Sequence, residues 1–334
     1  ENMGPNLQDN ATGVFWGAFT LFACTTASIM SGSVIERIRM GAFIILAVVL
    51  GSVVWILAAA WGWHPAGWMV TEWGYHDFGA SGVVHIISGF FALGVLIPLG
   101  ARVGRFNADG SANDIKGHSL PMTMVGLMLI VTGFFGFLGG CTIYYGTDQW
   151  TAIYGMPTTL STICFNTLMG VAGGMIGCYT ATRDPFWVMS GALCGIISVA
   201  AGMDTYYPGL TFAIAFFGGL VGPWSAKMLI KCGVDDAVGA VSVHGTCGII
   251  GVLAAGIFIT GYPQFADNIP TVTFMGQFKG AIVMVLLGFI PGLVLAYLLK
   301  AAGVLRASDS VQEIGMDVEI ANDAYPEAIQ TDVS

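Results

Sequence analysis

Charged residues are scarce in this sequence. They make up 9% of the 334 residues, whereas soluble domains carry roughly 25%, and 55% of the residues are hydrophobic. A large soluble core is therefore excluded, and the composition is typical of a polytopic membrane protein. The formal net charge of −9 also argues against a nucleic-acid-binding surface.

Paired cysteines and metal-binding motifs are also missing. The seven cysteines are scattered without a Cys-X-X-Cys pair, as expected for small buried side chains and not for a disulfide framework. No histidine or acidic cluster has metal-ligand spacing, and no nucleophile stands beside a base. We therefore expect neither an enzyme nor a bound cofactor.

Long apolar runs fill most of the chain. Nine of them are long enough to cross a bilayer, which takes roughly 17–25 residues, and lipid favours helices because every backbone group must be bonded internally. An all-α transmembrane domain is predicted over 1–304, followed by an acidic, partly extended cytoplasmic tail over 305–334. The predicted spans are 13–33, 41–61, 79–101, 120–141, 159–181, 186–203, 208–231, 239–261 and 275–304.

Basic residues follow alternate spans. Arg37 and Arg39 follow the first span, Arg102 and Arg105 follow the third, and later odd-numbered spans repeat the pattern. Lys279 alone lies near the opposite side. By the positive-inside rule, residue 1 is expected outside and the C-terminus in the cytoplasm of a plasma-membrane protein.

One pattern occurs twice, from Asp77 to His85 and from Asp236 to His244. Each copy has an aspartate, six small or apolar residues, and then Val-His, with a glycine four residues after the histidine. The copies lie five spans apart, so they run antiparallel, as in an inverted repeat with its substrate path near the midplane. At about 1.5 Å per residue, one histidine lies roughly 12 Å below one face of the membrane core and the other roughly 12 Å from the opposite face. The core is about 30 Å thick. The two histidines are therefore predicted to approach each other.

An intramembrane histidine is costly unless its ring nitrogens find partners. Three interpretations of His85 and His244 stay open: rings bonded to nearby carbonyls, axial ligands of one b-type haem, or a proton relay along a narrow pore. The relay is favoured, because imidazole both donates and accepts. Asp77 is expected to cap the third span and to favour a cation at the outer mouth.

Aromatic side chains crowd the outer halves of the spans. Most are expected in an interfacial belt, and a few can form a cation–π site for a small cation stripped of water. These residues include Phe15, Trp16, Phe19, Phe22, Trp55, Trp61, Trp63, Trp68, Trp73, Phe134, Phe135 and Phe137.

Several ordered motifs resemble the ammonium transporter/Rh family. The motifs are Phe22-Ala23-Cys24, Glu36-Arg37-Ile38-Arg39, Asp77-Phe78 to Val84-His85, His118-Ser119-Leu120-Pro121-Met122, Gly133-Phe134-Phe135-Gly136-Phe137, Val243-His244-Gly245, Cys247-Gly248-Ile249, Gly315-Met316-Asp317 and Asn322-Asp323-Ala324-Tyr325. The family has eleven helices, and the nine spans are expected to correspond to its third through eleventh.

The resemblance implies a homotrimer in the lipid bilayer, with one ammonia-conducting pore in each subunit. It implies that His85 and His244 are the twin histidines, that Phe22 and Phe137 form the gate, and that Asp77 supports an outer NH4+ site. Trp63 is expected to be the recruiting tryptophan in preference to Trp61.

Four positions depart from the family pattern. Cys141 stands where many members have serine, Leu138 where asparagine is usual, Gly239 where aspartate is usual, and Phe19 where glutamine is frequent. A thiol is a poorer hydrogen-bond acceptor than a hydroxyl. Two functions therefore stay open: ammonium transport, or an ammonium sensor whose tail signals to a cytoplasmic partner such as a histidine kinase.

Overall fold

The computed structural model describes residues 10–144, 158–263 and 268–317, and these residues form a bundle of α-helices. The helices are α1 (Asn10–Val34), α2 (Met40–Val49), α3 (Trp55–Gly62), α4 (Trp68–Trp73), α5 (Ile87–Leu99), α6 (Leu120–Gly140), α7 (Leu160–Thr182), α8 (Pro185–Val199), α9 (Pro208–Lys231), α10 (Cys247–Phe258), α11 (Phe274–Ala301) and α12 (Asp309–Ile314).

Nine segments of the described chain are long and apolar enough to cross a membrane, which confirms the nine predicted spans. Their ends differ from the predicted ones by at most four residues. They are Gly17–Val34, Met40–Gly62, Ser81–Leu99, Leu120–Gly140, Leu160–Thr182, Pro185–Gly202, Pro208–Lys231, Val241–Phe258 and Phe274–Ala301.

Within the described part of the chain, three spans contain a π-helical segment that apolar length alone does not reveal. Leu50–Val54 joins α2 to α3, Ser81–Ile86 precedes α5, and Val241–Thr246 precedes α10. Single π-helical turns inside longer helices are often associated with functional sites. Here the second and third π-helical segments carry His85 and His244.

The third span lies at the centre of the bundle. In an 18-residue stretch of Ser81–Leu99, 83% of the residues are buried, against 17% in a stretch of the same length in Leu120–Gly140. Glycines let neighbouring helices approach closely around it. A Cβ on Gly288 of α11, for example, would lie 2.5 Å from the backbone carbonyl oxygen of Ile87 in α5, so a larger residue there would force the helices apart.

Basic side chains from several loops meet at one face of the bundle. Arg37 is fully buried and donates to the carbonyl oxygens of Gly100 at 2.9 Å and Ser33 at 3.1 Å. Arg102 forms a salt bridge of 2.9 Å with Asp235. Burial alone would raise the pKa of Asp235, but hydrogen bonds from Arg102 bring it below its ordinary value. This face gathers the arginines that the positive-inside rule assigns to one side.

The first part of the predicted tail is attached to this same face. The amide nitrogen of Arg39 donates to Leu305, and that of Ala307 donates to Arg37, so residues 305–307 pair with the loop after α1. A short helix, α12, follows. The motif at 322–325 lies outside the described residues.

Candidate functional site

Each histidine-bearing segment begins at a carboxylate, at Asp77 as expected and at Asp236 in the second copy. One carboxylate oxygen of Asp77 accepts from the amides of Gly82 and Val83, both at 2.9 Å. Asp236 accepts from the amides of Ala240 at 3.1 Å and Val241 at 2.7 Å. Helix N-termini carry amides without intrahelical partners, so both aspartates stabilise and orient the π-helical turns that follow.

The two histidines lie side by side at the junction of the two π-helical segments. The Nδ1 atoms of His85 and His244 are 3.0 Å apart, and their rings stack with centroids 5.1 Å apart. His85 is 1% exposed, and within the described residues its Nε2 has no hydrogen-bond partner. The expected approach of the two rings is therefore observed.

This geometry separates the three interpretations of the pair. The contact joins one imidazole to the other and not to a backbone carbonyl. Metal–imidazole bonds are about 2.0–2.1 Å long, so a separation of 3.0 Å leaves no room for an iron atom between the Nδ1 atoms. Two neutral rings bonded in this way share one Nδ1 proton, and each Nε2 takes the complementary donor or acceptor role.

A continuous line of aromatic rings leads to His85. The ring centroids of Trp63 and Phe22 are 5.2 Å apart, those of Phe22 and Phe137 are 4.1 Å apart, and those of Phe137 and His85 are 6.0 Å apart. Phe19 lies 5.3 Å from Trp63. Phe22 is 3% exposed and Trp63 is half-buried, so Trp63 stands at the more open end of the line.

Asp77 connects this aromatic line to the histidine segment. Its backbone carbonyl accepts from Trp63 Nε1 at 2.5 Å, and its carboxylate accepts from the Tyr75 hydroxyl at 3.4 Å. Burial raises the pKa of Asp77 to about 6, although the amides of Val83 and Gly82 oppose that rise. A single residue therefore fixes the tryptophan ring and the first turn before His85.

Cys141 is buried directly after α6. Its Sγ donates to the Phe137 carbonyl at 3.4 Å, so the thiol bonds back to its own helix. Burial, followed by the charge on Asp77, raises the pKa of this thiol well above its ordinary value, and the group is neutral. The sulfur thus contacts the backbone of the helical turn that carries Phe137.

Two of the other departures have local explanations. Gly239 has φ +76°, and a Cβ there would lie 2.9 Å from the Trp187 ring, so an aspartate at this position would be strained and crowded. Leu138 is fully buried and would lie 2.5 Å from a Cβ on Gly79. At these two positions packing accounts for the residue that is present.

Sequence reasoning missed a buried histidine outside the His85–His244 pair. His76, directly before Asp77, lies with its Nε2 3.0 Å from Asp204 Oδ1, and the two side chains are 3% and 1% exposed. Gln277 of α11 bonds to the His76 backbone. The adjacency of His76 to Asp77 was a visible signal, but Asp204 is 128 residues away and nothing in the sequence pairs the two.

The sequence matches a known protein family over almost its whole length. A sequence profile described as Ammonium Transporter Family matches residues 3–325. The chain is 33% identical over 329 residues to the ammonium transporter Amt2 of Methanocaldococcus jannaschii, covering 97% of this chain and 74% of that protein. It is 30% identical over 350 residues to Amt2 of Archaeoglobus fulgidus, covering 97% and 72%. A solved structure titled Sensor Amt Protein matches with a TM-score of 0.80 at 26% identity, covering 90% of this chain and 75% of that one.

Proposed function

Because the chain belongs to the Ammonium Transporter Family, we propose that it captures NH4+ at an outer aromatic site, removes its proton, and conducts ammonia past His85 and His244. Transport of ammonium is the general activity of the family, and its named relatives are transporters and not enzymes. The finer steps are the proposal.

One observation carries the proposal: the line of aromatic rings from Trp63 ends at a directly bonded histidine pair, and His85 Nε2 is buried without a hydrogen-bond partner among the described residues. Moving bare NH4+ through such an apolar passage would require removing its hydration shell, which is costly for an ion and far less costly for neutral ammonia. A proton left behind needs its own path. The Nδ1 contact provides one: when a proton binds at His85 Nε2, the shared Nδ1 proton passes to His244, whose Nε2 then releases a proton. The donor and acceptor roles at both outer nitrogens are thereby reversed.

Each remaining site residue has a role consistent with this path. Trp63 and Phe22 present aromatic faces to a cation, and Phe22 and Phe137 close the passage above His85. Cys141 lies beside Phe137 and offers a weak sulfur acceptor. Asp77 places its carboxylate near the outer mouth of the passage and holds the His85 segment in position.

The proposed setting is a homotrimer in the plasma membrane, with the arginine-rich face and the C-terminus in the cytoplasm. The two Asp-capped π-helical turns meet near the middle of the bundle, which supports an inverted repeat. Apolar side chains on α6 are widely exposed, Leu129 by 70%, and they fit contact with lipid or a neighbouring subunit. The boundary between a transmembrane domain over 1–304 and a cytoplasmic tail over 305–334 is part of this proposal.

A second candidate function is ammonium sensing. The likeness to a structure titled Sensor Amt Protein favours it, as does the thiol at Cys141. Residues 305–307 pair with the loop after α1, so a change at the inner face has a physical route to the tail and to a signalling partner.

Current recordings on reconstituted protein, combined with binding calorimetry, separate the two functions. A transporter gives a sustained ammonium-evoked current that scales with protein density. A sensor binds ammonium with a measurable heat and gives at most a transient binding current. Binding without sustained current would contradict the transport proposal.

A further inference from the structure

A second buried titratable pair lies beside the site and takes no part in the proposed relay. The Nε2 of His76 is 3.0 Å from Asp204 Oδ1, with both side chains almost fully buried. Within the described residues the other carboxylate oxygen of Asp204 has no hydrogen-bond partner. An ionised carboxylate at such a position is strongly disfavoured unless a positive charge accompanies it.

The backbone of His76 is held as firmly as its ring. Its amide donates to Gln277 Oε1 at 2.8 Å, and its carbonyl accepts from Gln277 Nε2 at 2.6 Å. Gln277 is fully buried in α11. His76 is therefore fixed between α11 and the loop that carries Asp204, and this attachment also places the next residue, Asp77.

Two buried carboxylates act on the same small region. Burial raises the pKa of the Cys141 thiol most, and the charges of Asp77 and Asp204 both raise it further, so both carboxylates lie near the end of α6. A buried carboxylate resists ionisation, because burial removes its hydration. The charge of His76 opposes this, since it lowers the pKa of Asp77 against the larger effect of burial.

Two buried phenols and one buried thiol in this region supply no compensating charge. Tyr75 precedes His76 on the same segment, and Tyr206 follows Asp204 in the loop between α8 and α9. Burial raises the pKa of both phenols well above the ordinary value, and burial does the same for the Cys141 thiol. All three are neutral, so His76 is the member of this group that can carry positive charge.

We propose that His76, as an imidazolium paired with Asp204, is a positioning and charge-compensating residue that keeps Asp77 ionised at the cation-capturing mouth. The part that concerns cation capture rests on the proposed function. The charge balance among His76, Asp204 and Asp77 does not, and it is measurable without transport.

The test compares His76→Gln, Asp204→Asn and the double variant with the wild type. Infrared titration follows the protonated carboxyl band of Asp77, assigned by its loss in Asp77→Asn. Ammonium-evoked currents are recorded on the same preparations as a function of external pH. His64→Gln is the matched control, because His64 follows the second span on the same side and is exposed.

His76→Gln removes the positive charge and leaves Asp204, so the Asp77 midpoint is expected to rise by about one pH unit. The double variant removes both charges and should reverse most of that rise. In each variant, the external pH at which the ammonium-evoked current declines should shift in the same direction as the Asp77 midpoint. His64→Gln should change neither the current profile nor the midpoint. A purely structural role predicts instead that both single variants and the double variant behave alike.

An unchanged Asp77 midpoint in His76→Gln would overturn the proposal, whatever the currents show. A shifted midpoint without sustained current in the wild type would support the charge balance and refute transport, so the two failures are distinguishable. If the single variant His76→Gln does not fold, the double variant is measured in its place. A folded double variant with a nearly wild-type midpoint is expected, and an unfolded one would overturn the charge account.

Discussion

Asp77 is expected to reduce stability at neutral pH while serving the site. Its carboxylate is 3% exposed and accepts two backbone amides at 2.9 Å, yet burial raises its pKa from 3.8 to about 6. Asp77→Asn keeps an oxygen for those amides and removes the charge. We therefore predict that this variant is more stable than the wild type at pH 7 and captures ammonium less well.

The sign follows from proton binding in the folded and unfolded states. The folded protein holds the Asp77 proton up to a pH of about 6, whereas the unfolded chain releases it near 3.8. The folded state therefore binds more protons between these values, and the unfolding free energy falls as the pH rises through this window. A pKa difference of about 2 corresponds to about 3 kcal/mol, which the wild type loses by pH 7 and Asp77→Asn keeps.

Thermal unfolding in detergent between pH 4 and pH 8 measures this directly. The wild-type midpoint should fall across the window relative to Asp77→Asn, whose curve should be flatter. Glu72→Gln is the matched control, because it makes the same chemical change at an exposed carboxylate and should leave the profile unchanged. If Asp77→Asn unfolds at a lower temperature than the wild type at pH 7, the argument from burial is wrong.

Two further predictions concern cation capture. Trp63→Leu removes an aromatic face whose cation–π contact contributes about 0.5–2 kcal/mol, so the half-saturating ammonium concentration should rise roughly 2- to 30-fold. Trp61→Leu is the control, because Trp61 packs on Trp68. If Trp61→Leu raises that concentration and Trp63→Leu does not, the capture site lies at Trp61. Cys141→Ser supplies a better acceptor of similar size and should tighten binding or raise flux by up to about tenfold. Equal calorimetric affinity and equal current in Cys141→Ser would show that the thiol only packs against Phe137.

The fold was largely predictable because lipid imposes simple rules. The nine apolar runs of the sequence correspond to nine spans in the described chain, because length and hydropathy decide where a helix can cross a membrane. The π-helical segments were not predictable, because apolar runs such as Ser81–Ile86 read equally well as α-helix. Their geometry depends on tertiary contacts, including the approach of Gly89 to Gly245 across the two histidine segments.

The candidate site was only partly predictable for a related reason. The repeated Asp-to-His spacing indicated which residues cap and which approach each other, and the structure joins His85 to His244 at 3.0 Å. Spacing says nothing about contacts between distant positions. The bonds from Ser33 to Asp236 and from Gln277 to His76 each join residues about 200 positions apart, and only the folded chain reveals them.

Proton transfer through the histidine pair is the central claim, and single-histidine variants test it most directly. Ammonium-evoked currents should be recorded from vesicles containing wild type, His85→Ala, His244→Ala or the double variant, with His118→Ala as an exposed histidine control. Size-exclusion profiles establish that each variant is folded. We expect each site variant to lose the sustained proton-coupled current, because either change breaks the Nδ1 contact, while His118→Ala retains it. A wild-type current in the folded double variant would contradict the relay.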